Sequence, residues 1–91
     1  MLTVPGDLKV QVSPNPVQSN LSIVVNTKQT GKTDITIYNF HGSKLLQKNV
    51  VKSSPGIMTE SINLSRLPTG IYIMKVTVGA HYVKTVRIVK Q

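Results

Sequence analysis

Apolar residues in this chain recur at every second position over short stretches, and polar turn formers separate the stretches. Leu8, Val10 and Val12 alternate with Lys9 and Gln11, which is the period of a half-buried strand. The pattern stops at Ser13-Pro14-Asn15-Pro16, where two prolines remove backbone donors from any ladder. Leu21, Ile23 and Val25 predict a second strand, and the polar run from Asn26 to Lys32, with Gly31 inside it, predicts a loop. Ile35 and Ile37 alternate with Thr36 and Tyr38 in a third. Asn39-Phe40-His41-Gly42 then reads as a tight hairpin turn, because glycine takes a positive φ most readily.

The segment from Ser43 to Val51 supports two readings. Lys44, Lys48 and Lys52 recur every four residues and Leu46 and Val50 share that spacing, as on a short helix. The preceding hairpin turn, the run Asn49-Val50-Val51 and the absence of a cap favour a strand, since an uncapped helix of this length is marginal. Ser53-Ser54-Pro55-Gly56 breaks the chain, and Ile57 to Leu64 resumes with Met58, Glu60, Ile62 and Leu64 on one parity, where Glu60 spoils the alternation. After the turn Leu67-Pro68-Thr69-Gly70, Tyr72, Met74, Val76 and Val78 face one side and Lys75 and Thr77 the other. Gly79-Ala80 turns into His81 to Lys90, whose parity set Tyr82, Lys84, Val86, Ile88 mixes charge with apolar groups, as a bulge or an edge position would explain.

Seven short strands with regular turns predict an all-β, immunoglobulin-like antiparallel β-sandwich, with a small barrel as the alternative. Composition agrees: the chain has one alanine, Ala80, and abundant Val, Ile and Thr. At 91 residues it is one domain, divided as 1–7, a linker or cloning remnant, and 8–91, the folded unit. Met1 is followed by neither a basic start nor an apolar run of signal-peptide length, so export requires further chain upstream, and Val4-Pro5-Gly6 is linker-like. No cysteine is present, which removes thiol catalysis, thiolate metal sites and disulfides while leaving the compartment open.

Eleven Lys and Arg against Asp7, Asp34 and Glu60 give a net charge of +8, a field that attracts polyanions. Acid-base catalysis needs two positioned groups, and three acids on separate segments make a poor active site. His41 sits in a turn beside Gly42 and His81 follows Gly79-Ala80, and both read as solvated. No Gly-x-Ser-x-Gly elbow surrounds a serine, and no third ligand completes a two-histidine metal site. We therefore expect no enzyme activity, no metal and no cofactor. Single-strand nucleic-acid binders stack bases on aromatics, and Tyr38, Phe40, Tyr72 and Tyr82 are the entire supply. Tyr72 is expected in the core and the lysines on solvated faces, so nucleic acid is not an expected partner. An adhesive, carbohydrate-binding or polyanion-binding sandwich is the alternative function.

Three motifs taken together point further. They are Ser13-Pro14-Asn15-Pro16-Val17 after the first strand, Leu64-Ser65-Arg66-Leu67-Pro68-Thr69-Gly70-Ile71-Tyr72 before the sixth, and the basic, β-branched run Lys84-Thr85-Val86-Arg87-Ile88-Val89-Lys90-Gln91. From about Leu8 to Gln91 the chain resembles the C-terminal sorting domain of type IX secretion cargo proteins of Bacteroidota. A weaker match lies at Ile37-Tyr38-Asn39-Phe40-His41-Gly42, where Asn39 stands in place of the family's usual Asp.

The resemblance implies a folded address on a secreted cargo rather than an enzyme. The implied partners are the type IX machinery, including an outer-membrane translocon, a shuttle protein and a sortase-like peptidase, together with a cargo domain upstream. It implies passage through the periplasm, cleavage upstream of Leu8, and display on the cell surface, commonly on anionic lipopolysaccharide, or release. Carried over by resemblance, the signal residues are Pro14, Asn15, Pro16, Leu67, Gly70, Tyr72, Lys84, Val89 and Lys90. Pro14 and Pro16 are expected to fix the first turn, Gly70 to permit a φ that other residues resist, and Tyr72 to anchor the sixth strand by packing. The last strand is expected at a sheet edge, its free backbone groups available for β-augmentation by a receptor or for weak dimerisation.

Overall fold

Seven strands form on the segments of alternating residues: β1 Lys9–Ser13, β2 Asn20–Thr27, β3 Gly31–Tyr38, β4 Lys44–Lys52, β5 Gly56–Asn63, β6 Gly70–Val78 and β7 Tyr82–Lys90. The structure, a computed structural model, describes residues 8–79 and 82–91. The expectations for residues 1–7, Asp7 among them, and for Ala80 and His81 lie outside the described residues.

The strands make two antiparallel sheets, one ordered β1-β2-β5 and the other β4-β3-β6-β7. Named as immunoglobulin strands in chain order, these are A-B-E and C′-C-F-G. The expected sandwich is therefore present, and the barrel is not formed. The inner faces meet in a core of Leu21, Ile23 and Val25 from β2, Ile35 and Ile37 from β3, and Met74, Val76 and Val78 from β6, all fully buried. Each such side chain contributes roughly 1.5–3 kcal/mol by leaving water.

β4 resolves the ambiguous segment as a strand. A spacing of four is also a multiple of two, so Leu46, Lys48, Val50 and Lys52 share one face of a strand as readily as one face of a helix. Asn49-Val50-Val51 settles the matter by pairing with Asp34, Thr33 and Lys32. A bulge follows, where Ile37 pairs with Leu46 but Tyr38 pairs with Lys44.

Two expectations need correction. β2 and β3 run further than the polar stretch Asn26 to Lys32 suggests: Asn26 and Thr27 pair with Ile57 and Gly56, and β3 begins at Gly31, leaving a loop of only 28–30. Ladder bonds belong to the backbone, so polar side chains extend a strand where its end meets solvent. The lysines, moreover, do not all lie on solvated faces. Lys52 is 2% exposed and its Nζ donates to the carbonyls of Thr27 (2.9 Å) and Ser54 (2.6 Å). Lys90 is also buried, with Nζ donating to the Gln91 carbonyl. Lys48 points between the sheets, pairs with Glu60 at 2.9 Å and donates to the Ser61 carbonyl at 3.0 Å. Glu60 thus keeps the inward parity of β5 because a cation from the facing sheet meets it.

Candidate recognition site

Chain topology gathers the motifs at one end of the sandwich. The residues after β1, those between β5 and β6, the β3–β4 turn and the end of β7 all lie there, because Gly70 pairs with Lys90, Asn20 with Asn63 and Tyr38 with Ile73. The opposite end carries the β2–β3 loop and the β4–β5 turn, closed by Lys52.

At the motif end, Ser13-Pro14-Asn15-Pro16-Val17 carries the chain from one sheet to the other. β1 pairs antiparallel with β2 up to Ser13, and Val17 then forms a parallel bridge with Lys90 of β7. Both peptide bonds preceding the prolines are cis. Asn15 holds the final strand with both ends of its amide: Nδ2 donates to the Arg87 carbonyl (3.1 Å), and Oδ1 accepts from the Val89 N–H (2.9 Å). Backbone continues the closure, the Val17 N–H donating to the Val89 carbonyl and the Gln91 N–H to the Val17 carbonyl, both at 2.8 Å. One edge of a primary amide presents an N–H donor and a C=O acceptor side by side, as the N–H and C=O of a single residue in a parallel strand do, and Val17 pairs with Val89 and Gln91 in the same pattern. Asn15 therefore stands where an adjacent strand would.

The second motif builds a corner. Tyr72 is buried and its hydroxyl donates to the Pro68 carbonyl at 2.5 Å, four residues upstream. This is the tyrosine corner of immunoglobulin-like sandwiches, at the start of their F strand. Leu64 is fully buried, and its N–H donates to the Ser19 carbonyl at 2.7 Å, tying the corner to the segment after β1. A model of the secretion system C-terminal sorting domain matches residues 11–91, which includes every one of these segments. The chain belongs to that family.

A comparison with curated proteins returns no match. The family is that of type IX secretion, so the sorting domain serves as a secretion signal for a protein exported to the cell surface or released, and it engages the type IX machinery.

Within this sorting domain the predicted residues fall into three groups. Pro14, Asn15 and Pro16 are exposed, and their segment reaches Val89 through Asn15 and Lys90 through Val17. Leu67, Gly70 and Tyr72 belong to the corner, where Leu67 packs on the core. Lys84 is exposed on β7, away from both. Gly70 does not play its expected part. Its φ is not positive, and a methyl group there would meet Tyr72 Cε2 at 3.9 Å, an ordinary contact. The conformational demand falls instead on Gly31, Gly42, Gly56 and Gly79, of which Gly42, at φ 87°, closes the predicted hairpin turn. Asn39 serves that turn well: its Oδ1 accepts from the N–H groups of His41 and Ser43, both at 2.9 Å. A carboxamide oxygen can accept both bonds, as a carboxylate at that position could.

The expectation of a wholly free last edge is also corrected. β7 pairs only with β6 and is an edge strand, but its stretch from Arg87 to Gln91 is closed by Asn15 and Val17. Val89 and Lys90 thus lie within the sealed part, because the segment after β1 crosses over and reaches them first. Sequence reasoning missed Val17 as the closing residue. It is fully buried, and its signal was available as the one aliphatic side chain between Val12 and Leu21. Among the described residues no group of three His, Asp or Glu side chains is placed to hold a metal.

Proposed function

We propose that residues 8–91 act as a non-catalytic address that the type IX machinery reads as a folded surface, with residues 1–7 as the linker to a cargo upstream. The observation that carries this reading is the convergence of the family's signature segments on one end of the sandwich, with Asn15 hydrogen-bonded to Arg87 and Val89. Pro14, Asn15 and Pro16 with their flanking strand then form one composite epitope. Leu67 and Tyr72 support it from the corner. In this reading the domain crosses the periplasm in folded form, a shuttle protein and the translocon engage it, and a sortase-like peptidase cuts before Leu8. The cargo is then displayed on the surface, on anionic lipopolysaccharide, or released.

The test is a reporter enzyme carrying an export signal at its start and the 91-residue chain at its end, expressed in a bacterium with type IX secretion. The intact fusion reaches the medium or cell surface. Deleting Lys84 to Gln91 leaves the reporter active in the periplasm. Secretion at an undiminished level after that deletion overturns the proposal.

A further inference from the structure

The sealing of β7 covers only part of its outer edge. Val89 directs both its N–H and its C=O away from β6, toward Asn15 and Val17. Backbone groups in an antiparallel strand alternate sides with a period of two, so Val83, Thr85 and Arg87 face the same way. The Arg87 carbonyl is taken by Asn15. No hydrogen bond between described residues reaches the outward N–H and C=O of Val83 and Thr85, or the Arg87 N–H. These groups form a short row of donors and acceptors without partners among the described residues, and the row ends at Asn15.

The other edges are less open. β4 carries the bulge beside Leu45, the Ser61 carbonyl of β5 is taken by Lys48, and β1 is five residues long. Bulges, covered groups and shortness are the usual ways of blunting an edge.

Resting on the sorting-signal reading, we propose that Val83 to Arg87 is the docking edge for one extended, acidic segment of a transport partner, which adds to the four-stranded sheet in line with Val17. The charge around the row selects this occupant. Lys84 and Arg87 are exposed on β7 and Lys75 on β6 lies opposite Thr85, while neither strand contains an acid. A second copy of this chain pairing through the same row would bring two Lys84 and two Arg87 side chains into one short ladder, and like charges there oppose association. A strand bearing Glu or Asp gains both the ladder and the ion pairs. Val83, half exposed, offers it one apolar contact.

Two variants of the reporter fusion test the assignment. Thr85→Pro removes one outward N–H and leaves the β6 ladder intact, since proline is tolerated at such edge positions. The double variant Lys84→Glu, Arg87→Glu reverses the charge at two exposed sites and serves if the proline variant fails to fold, as judged by the thermal melt and by slow exchange of the Val89 amide. Each folded variant is expected to lower secreted reporter at least about tenfold, with the reporter retained in the periplasm. If a folded variant is secreted at the parental level while the Lys84 to Gln91 deletion is retained, the docking edge is wrong and the address stands. If the deletion is itself secreted, the address reading fails.

Discussion

The two flanks of the sandwich are closed by different chemistry. On the β4/β5 flank, Lys48 reaches across to Glu60 and to the Ser61 carbonyl, and Lys52 beyond it is buried against two carbonyls. On the β1/β7 flank the closure is neutral, made by the Asn15 amide and the Val17 backbone as continuations of the ladder itself. A half-exposed ion pair gains little in water and is screened by salt. Neutral amide hydrogen bonds that complete a strand edge are little screened by salt. The β1/β7 flank is therefore the one whose closure involves no exposed ion pair and responds least to salt.

Four substitutions sharpen this contrast. Val17→Ala should have the largest effect, about 2–3 kcal/mol, because the side chain is wholly buried between the sheets and its loss leaves a cavity. Equilibrium urea unfolding measures it, and a cost below that of the ion-pair variants would mean that Val17 does not hold the flank. Lys52→Met should cost about 2 kcal/mol, since the carbonyls of Thr27 and Ser54 lose a charged donor while the aliphatic stem is kept. An unchanged midpoint would show that the ammonium only fills space.

Asn15→Ala should cost about 1 kcal/mol, as the freed Arg87 carbonyl and Val89 N–H can turn to water at this exposed site. Its sharper readout is hydrogen exchange. The Val89 amide should lose protection while core amides of β3 keep theirs, and a Val89 amide that stays protected would detach Asn15 from the closure. Glu60→Gln should have the smallest effect, below about 1 kcal/mol, with the difference from the parent vanishing in 1 M salt. A larger cost that survives salt would make the two flanks equivalent.

Much of this architecture was legible in the sequence because a sandwich is written in period two. The inward sets of β2, β3 and β6 could be read directly, and so could Gly42 in its turn. Legibility failed wherever a side chain's partner lay on a distant strand. Glu60 looked like a flaw until Lys48 came to meet it, and Lys52 looked solvated because its two carbonyls are supplied by the end of β2 and a turn. The candidate site divides in the same way. Pro14, Asn15, Pro16, Leu67 and Tyr72 stood out as motifs, yet only the fold shows that Asn15 grips β7. Gly70 illustrates the opposite error, a conformational role inferred from residue type at a position whose φ demands none.

The Asn15 contacts join positions 72 and 74 residues apart in the chain. Contacts of such long sequence separation require a large loop of chain to be closed. A polypeptide released from the ribosome before Val89 cannot make them, however well its earlier strands have collapsed. The clasp therefore depends on the last strand having been made: only a chain translated through Val89 can form it.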